Sequence, residues 1–314
     1  MIAAVGFGVL SGPSAEDPVA TASPTASSAP ASPSVSIRAG EPDDGAADAE
    51  PETRAAPAEA AVSPALTGLS STSGSLVAGE TLALSGTGLS GVDDVRFGET
   101  SASIVSVEDE SVEIVVPHAP DYTAGEVAVT ALVGDAAVDT PEPLAYLYEA
   151  RTGVDRQLEY ALAHWDDYNV DGYGDYNPLG GDCMNFASQT LVARGWQQSA
   201  DWYNDGSSAT TTWTYVPAFE TWIQGNAEAL GVTRLELDQR DEVKVGDLVM
   251  FDWDASGALD HVQVVSEVVR EDDGSVSIRM VGHNEDSDYR DLDEALTVDH
   301  PGGTAYFWSI PDDS

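Results

Sequence analysis

Five short runs of alternating apolar and polar residues, 81–86, 95–98, 102–107, 111–116 and 126–133, recur at roughly ten-residue spacing with Gly, Pro and Asp between them. Runs this short cannot close enough helical turns to be stable, whereas a strand needs only a few residues and one buried face. The beat therefore predicts an antiparallel β-sandwich over 65–148. What precedes it cannot fold in the same sense. Residues 11–64 are nearly all Ala, Pro, Ser, Thr, Glu, Asp and Gly, a composition that buries too little apolar surface to offset its ordering entropy, so 13–64 is expected to be a disordered tether. Residues 2–10 form an apolar run too short to span a bilayer, with no preceding Lys or Arg, and 1–12 reads as part of a signal or anchor segment. Export to a secreted, extracytoplasmic or wall-associated location is the expectation.

After residue 150 the period changes. Met184, Ala187 and Leu191 recur at i, i+3 and i+7, and Gly195 follows Arg194 as a stop signal, which predicts a helix with Asp182 as its N-cap and Cys183 at its first position. Cys183 is the only cysteine, so no intrachain disulfide is possible. Unpaired N–H groups and the dipole at a helix start stabilise a thiolate, while the Asp182 carboxylate pushes modestly the other way. On its own, Cys183 reads equally as a nucleophile or as a small buried hydrophobe.

The downstream hairpins supply a possible base. A strand at 248–253 is followed by a polar turn at 254–259, a return at 261–269, and a second return at 276–282 that ends in His283-Asn284-Glu285-Asp286. Val262, Val264 and Val268 share one face, and His261, Gln263, Val265 and Glu267 the other. Hydrophobic matching with the turn centred on Asp272 pairs Val264 with Met280, Glu267 with Ser277 and His261 with His283. That register makes Cys183 the nucleophile, His261 the general base and His283 the group that orients it, with Asn284 pointing away unless a bulge intervenes. A lone histidine at a strand start is more often solvated or satisfied in a core, and only the pairing with Cys183 favours His261. His118, His164 and His300 have less support.

The stretches at 158–161, 181–189, 212–216, 246–253 and 260–262 together resemble the "Putative amidase domain" of secreted bacterial proteins, related to CHAP and NlpC-type cysteine amidohydrolases and peptidases. The resemblance covers 152–314 and implies an α+β, papain-like domain in which a helix bearing Cys183 packs on an antiparallel sheet. It also implies amide-bond hydrolysis by Cys183 and His261. Relatives vary the third polar residue among His, Asn and Glu, so His283 is the choice of the register argument and Asn284 the alternative. Gly86-Thr87-Gly88-Leu89, Val95-Arg96-Phe97-Gly98, Val116-Pro117 and Tyr146 resemble an IPT/TIG immunoglobulin-like domain, which implies a spacer or contact module without its own catalytic group.

An oxyanion needs fixed donors about 3 Å away. The Cys183 backbone N–H is one candidate, and Asn177 or Tyr176 the second. Trp213, Tyr215, Phe219 and Trp222 form an aromatic run expected to pack a core. Asp167, Asn169, Asp171 and Asp175, with Gly172 between them, reproduce most of a calcium loop, although Pro178 stands where the bidentate acid belongs; a calcium site and an acidic turn are equally consistent with it. The chemistry requires no cofactor, and calcium would be structural. Twelve basic residues against 55 acidic ones, a net charge of −43, exclude a nucleic-acid partner and direct docking of the folded domains on anionic bilayers. The expected function is an exported, monomeric cysteine amidase or peptidase acting on peptidoglycan or a protein amide. The competing class is a wall-binding or adhesion protein whose papain-like domain has lost activity.

Overall fold

A computed structural model describes residues 63–271 and 273–312. The segments read as signal remnant and tether, 1–12 and nearly all of 13–64, lie outside the described residues. The first part of the fold is two sheets face to face. One has the strand order Ala65–Leu69, Thr81–Thr87, Ser111–Val115, Ser103–Val107. The other runs Ser73–Ser75, Leu144–Glu149, Gly125–Val133, Asp94–Phe97, Thr100–Ser101, with Ala136–Ala137 on the side. Leu82, Leu84, Val112 and Ile114 from the first sheet and Val95, Phe97, Val129 and Tyr146 from the second fill the space between them. Every residue of that set alternates with an outward neighbour, which is why the periodicity was legible.

The second part opens with helix α1, Gly153–His164. Its start is a capping box: the Thr152 hydroxyl accepts from the Asp155 N–H at 3.1 Å and the Asp155 carboxylate accepts from the Thr152 N–H at 2.8 Å. Helix α2, Cys183–Arg194, is buried around nearly its whole circumference because it lies between α1 and a sheet. Helix α3 is Val216–Leu230, started by Pro217 and ended at Gly231. The sheet has six strands: β1 Thr233–Glu236, β2 Leu248–Asp252, β3 His261–Arg270, β4 Val276–Gly282, β5 Ser287–Asp291 and β6 Thr304–Ser309. Their spatial order is β1-β6-β2-β3-β4-β5, antiparallel throughout. One face, with Leu248, Met250, Val262, Val264 and Val281, packs toward α2. The other, with Val249, Phe251, Val265, Met280 and Phe307, packs on a second cluster around Leu292, Ala295 and Leu296. Among the described residues no helix is long and apolar enough to cross a membrane.

The β3–β4 register differs from the expected one. Val264 faces Val281 and Glu267 faces Arg279, with an irregularity between Val265 and Glu267. The turn is centred one residue later than expected, and Ser266 is the extra residue of a bulge that shifts the pairing again beyond it; hydrophobic matching reveals neither. The Arg279–Glu267 ion pair, at 2.8 Å across the strands, accompanies the shifted register.

The two parts share a core and polar joints. Tyr122, from the sandwich, is buried and donates its hydroxyl to the Ser266 carbonyl at 2.7 Å. Asp155 of α1 accepts from the Ser75 hydroxyl at 2.5 Å and the Val77 N–H at 2.9 Å. Burial alone would raise the Asp155 pKa, but these bonds and those from Thr152 outweigh it and hold the carboxyl below its ordinary value. The sandwich thus grips both the bulge of β3 and the first turn of α1.

Candidate active site

Cys183 occupies the first position of α2 and opens onto a cavity of about 300 Å³ lined by Tyr176, Leu179, Gly181, Tyr215 and Asp260. Burial pushes the thiol up to about 11, although the N–H groups of Val262 and Met184 point at the sulfur and favour the thiolate. Desolvation therefore outweighs the helix end, and the resting thiol is neutral at pH 7.

Asp182 stands at the N-cap position but its side chain does not cap the helix. One carboxylate oxygen accepts from the Tyr176 N–H at 2.8 Å and from Asn185 Nδ2 at 3.0 Å; the other meets His283 Nδ1 at 2.6 Å. His283 Nε2 lies 2.8 Å from the His164 carbonyl, and its ring is stacked between Tyr168 and Phe186 at centroid distances of 3.5 and 4.1 Å. Both ring nitrogens of His283 thus face acceptor oxygens of the protein itself. Sequence reasoning missed this buried pair. The signal was Asp182 and Asn185 three residues apart at the start of a helix, heading a polar row with Ser188 and Gln189 whose buried groups must find partners.

The expected pairing of His261 with His283 is not formed. His261 faces Phe251 across β2–β3, and its ring lies near Phe251, Trp253, Arg290 and His300. Those neighbours belong to the sheet side away from α2, whereas the adjacent Val262 points toward Cys183, so strand alternation and the Ser266 bulge separate the two histidines. His261 Nε2 is buried without a partner. Burial, and then the charges of Arg290 and His300, lower its pKa to about 3. The thiol meets the β3 backbone at Val262, one residue from His261, but makes no hydrogen bond to the imidazole among the described residues.

Asn284 is brought to the site by a turn rather than a strand. Its Oδ1 accepts from the N–H groups of Asp182, at 2.5 Å, and Cys183, at 2.8 Å, and its Nδ2 donates to Asn177 Oδ1. The backbone donor expected to serve an oxyanion is therefore occupied, and Asn177 acts as an acceptor rather than a second donor. Gly181 makes the approach possible: its φ is +144°, and a Cβ there would lie 3.1 Å from Asn284 Oδ1.

Of the aromatic run, Trp213 and Phe219 are fully buried, while Tyr215 is exposed at the cavity rim. Trp213 Nε1 donates to Asn185 Oδ1 at 2.7 Å, tying the aromatic core to the polar helix start. The calcium-loop expectation meets a different geometry. Residues Val170–Tyr173 form a helical turn capped by Asn169, Asp175 accepts from the Asn177 N–H at 2.9 Å, and the carboxylates of Asp167, Asp171 and Asp175 do not converge. The acids that do converge, Asp252, Asp254 and Asp260, accept N–H groups of the 253–257 turn.

Residues 151–308 match the family described as "Putative amidase domain", and residues 64–148 match the IPT/TIG domain. The uncharacterized protein YhbB of Bacillus subtilis (strain 168) is 24% identical over 127 residues, covering 38% of each chain, so this chain spans well under two thirds of that relative's length. Among solved structures, the gamma-CGTase of an alkalophilic Bacillus clarkii aligns at 19% identity over 28% of this chain and 12% of its own, with a TM-score of 0.24. The Bacteroides ovatus mixed-linkage glucan utilization protein SGBP-B aligns at 8% identity over 79% and 52%, also with a TM-score of 0.24. TM-scores this low carry no argument about this chain.

Proposed function

The chain belongs to the putative amidase domain family, with an IPT/TIG domain ahead of it, and from that premise we propose that it is an exported, cysteine-dependent amide-bond hydrolase acting on the peptide or N-acyl bonds of peptidoglycan. The observation that carries the reading is Cys183 at the first turn of α2, facing a cavity, with backbone N–H groups aimed at its sulfur. Its placement on a helix packed against an antiparallel sheet fits a papain-like catalytic domain.

In this reading the Cys183 sulfur attacks the acyl carbon while its proton passes to His261, which returns it to the departing nitrogen. Water then cleaves the thioester, releasing the acid and restoring the thiol. His283 is unsuited to be the base because both of its nitrogens already face acceptors. Its role is to hold Asp182, and through it the loop before the nucleophile. His261 Nε2 has no hydrogen-bond partner among the described residues and the imidazole is neutral at pH 7, but with its pKa lowered to about 3 and the thiol raised to about 11 the proton stays on sulfur until the site assembles. It is the first residue of β3 and its ring lies on the sheet face away from Cys183, so the reaction requires a local rearrangement of the strand start to bring the two together. The resting arrangement is thus an unassembled site. The apolar run at 2–10 supports export.

The separation of His261 from Cys183 favours one other reading, a wall-binding protein with an inactive catalytic domain. Digestion of purified peptidoglycan, with fragments identified by mass spectrometry, decides between them. The hydrolase reading expects fragments from the wild type and none from Cys183→Ala. Equal release by Cys183→Ala would end the nucleophile assignment, and binding without release by the wild type would favour the wall-binding protein.

A further inference from the structure

The start of α2 is capped by a side chain 101 and 102 residues away in sequence. Asn284 places a carbonyl oxygen on the N–H groups of Asp182 and Cys183 and an amide nitrogen on Asn177 Oδ1. Those are the polar contacts a scissile amide would need beside Cys183: two donors for the acyl oxygen and one acceptor for the N–H. Resting on the hydrolase reading, we propose that the Asn284 carboxamide is a resident amide that holds the substrate's place. The Asp182 and Cys183 N–H groups are then the donors for the acyl oxygen, and Asn177 is a positioning residue for the leaving-group nitrogen.

Three features of the turn fit a side chain built to leave. Asn284 and Glu285 both stand at positive φ, 58° and 71°, a conformation Asn tolerates better than most residues. The turn is held without the Asn284 side chain: Asp286 accepts from the Asn284 N–H at 3.0 Å and from the Tyr168 hydroxyl at 2.6 Å, and Glu285 pairs with Arg290. Asn284 is only partly buried, and Gly181 beneath it lines the cavity. The carboxamide can therefore rotate out while the turn stays folded, exchanging its hydrogen bonds for those of a substrate amide or water.

The test compares full-length wild type, Asn284→Ala and Asn284→Asp. The first readout is the rate of Cys183 alkylation by iodoacetamide at one fixed pH; the second is peptidoglycan fragment release. Removing the carboxamide frees two N–H groups and should raise the alkylation rate about fivefold, the worth of one of them turning to the sulfur. The carboxylate of Asn284→Asp accepts the same N–H groups more strongly and adds negative charge beside the sulfur, so alkylation should slow by a similar factor. Opposite changes in the two variants support the resident amide; equal rates in all three proteins, or slowing in both, overturn it. If Asn284→Ala fails to fold by near-ultraviolet circular dichroism, slowing in Asn284→Asp supports the proposal and an unchanged rate overturns it. Fragment release separates the two ideas. Faster alkylation in Asn284→Ala with no fragments from any protein keeps the resident amide and removes the hydrolase reading; fragments with unmoved alkylation do the reverse.

Discussion

His261 provides a test of the site's electrostatics that needs no substrate. The imidazole is buried among Phe251, at 5.9 Å, and Trp253, at 5.6 Å, with the charges of Arg290 and His300 nearby. Burial first, and those charges second, lower its pKa from 6.5 to about 3. The unfolded chain binds a proton on this residue below pH 6.5 and the folded chain does not until about pH 3, so the folded state loses stability as the pH falls through that window. The slope is about 1.4 kcal/mol per pH unit, or about 3 kcal/mol by pH 4. His261→Phe keeps a ring of similar size and removes the titration. At pH 7 the substitution should change stability by no more than about 1 kcal/mol, because Nε2 has no partner to lose. Urea unfolding of both proteins at pH 7 and pH 4 isolates the effect, since every other titrating group is common to the two. The wild type should lose about 3 kcal/mol more than the variant on acidification. Matching losses, within about 0.5 kcal/mol, would refute the buried neutral imidazole.

The Cys183 thiol, raised to about 11 by burial, should react slowly with iodoacetamide at neutral pH and accelerate as the pH climbs toward that value. A rate already at plateau below pH 8 would show that the helix end, and not desolvation, governs the sulfur. Tyr122→Phe removes the hydroxyl that bonds the Ser266 carbonyl between the sandwich and β3. It should lower stability by about 1–3 kcal/mol in denaturant melts, the cost of leaving a buried carbonyl without its donor. An unchanged midpoint would mean that this joint contributes nothing to holding the two parts together.

Local pattern carried the elements a long way. Alternation at Leu82, Leu84, Val112 and Ile114 placed the sandwich strands, because each apolar residue there marks a buried face. The i, i+3, i+7 spacing of Met184, Ala187 and Leu191, with Gly195 behind it, bounded α2 and put Cys183 at its start. The edge strands β1 and β5 and the inner strand β6 were not recognised, since TRLE, SDYRD and TAYFWS offer little alternation to separate them from loops. The site was less legible. His283 was paired with His261 rather than with Asp182, and Asn284 was kept only as the alternative third residue because a regular strand would have pointed it away.

By itself, then, the sequence determined which segments can be strands or helices, where the sole thiol sits on its helix, and that the chain carries a large excess of acidic residues. Those properties follow from neighbours within a few residues or from composition. Only the tertiary structure decided that His283 meets Asp182, that Asn284 caps the helix from 101 and 102 residues away, and that His261 turns from the sulfur. A turn centred one residue later than expected and an extra residue at Ser266 reset the hairpin register, and a burial cost outweighs a helix end. Both depend on what packs from elsewhere in the chain, which no local period records.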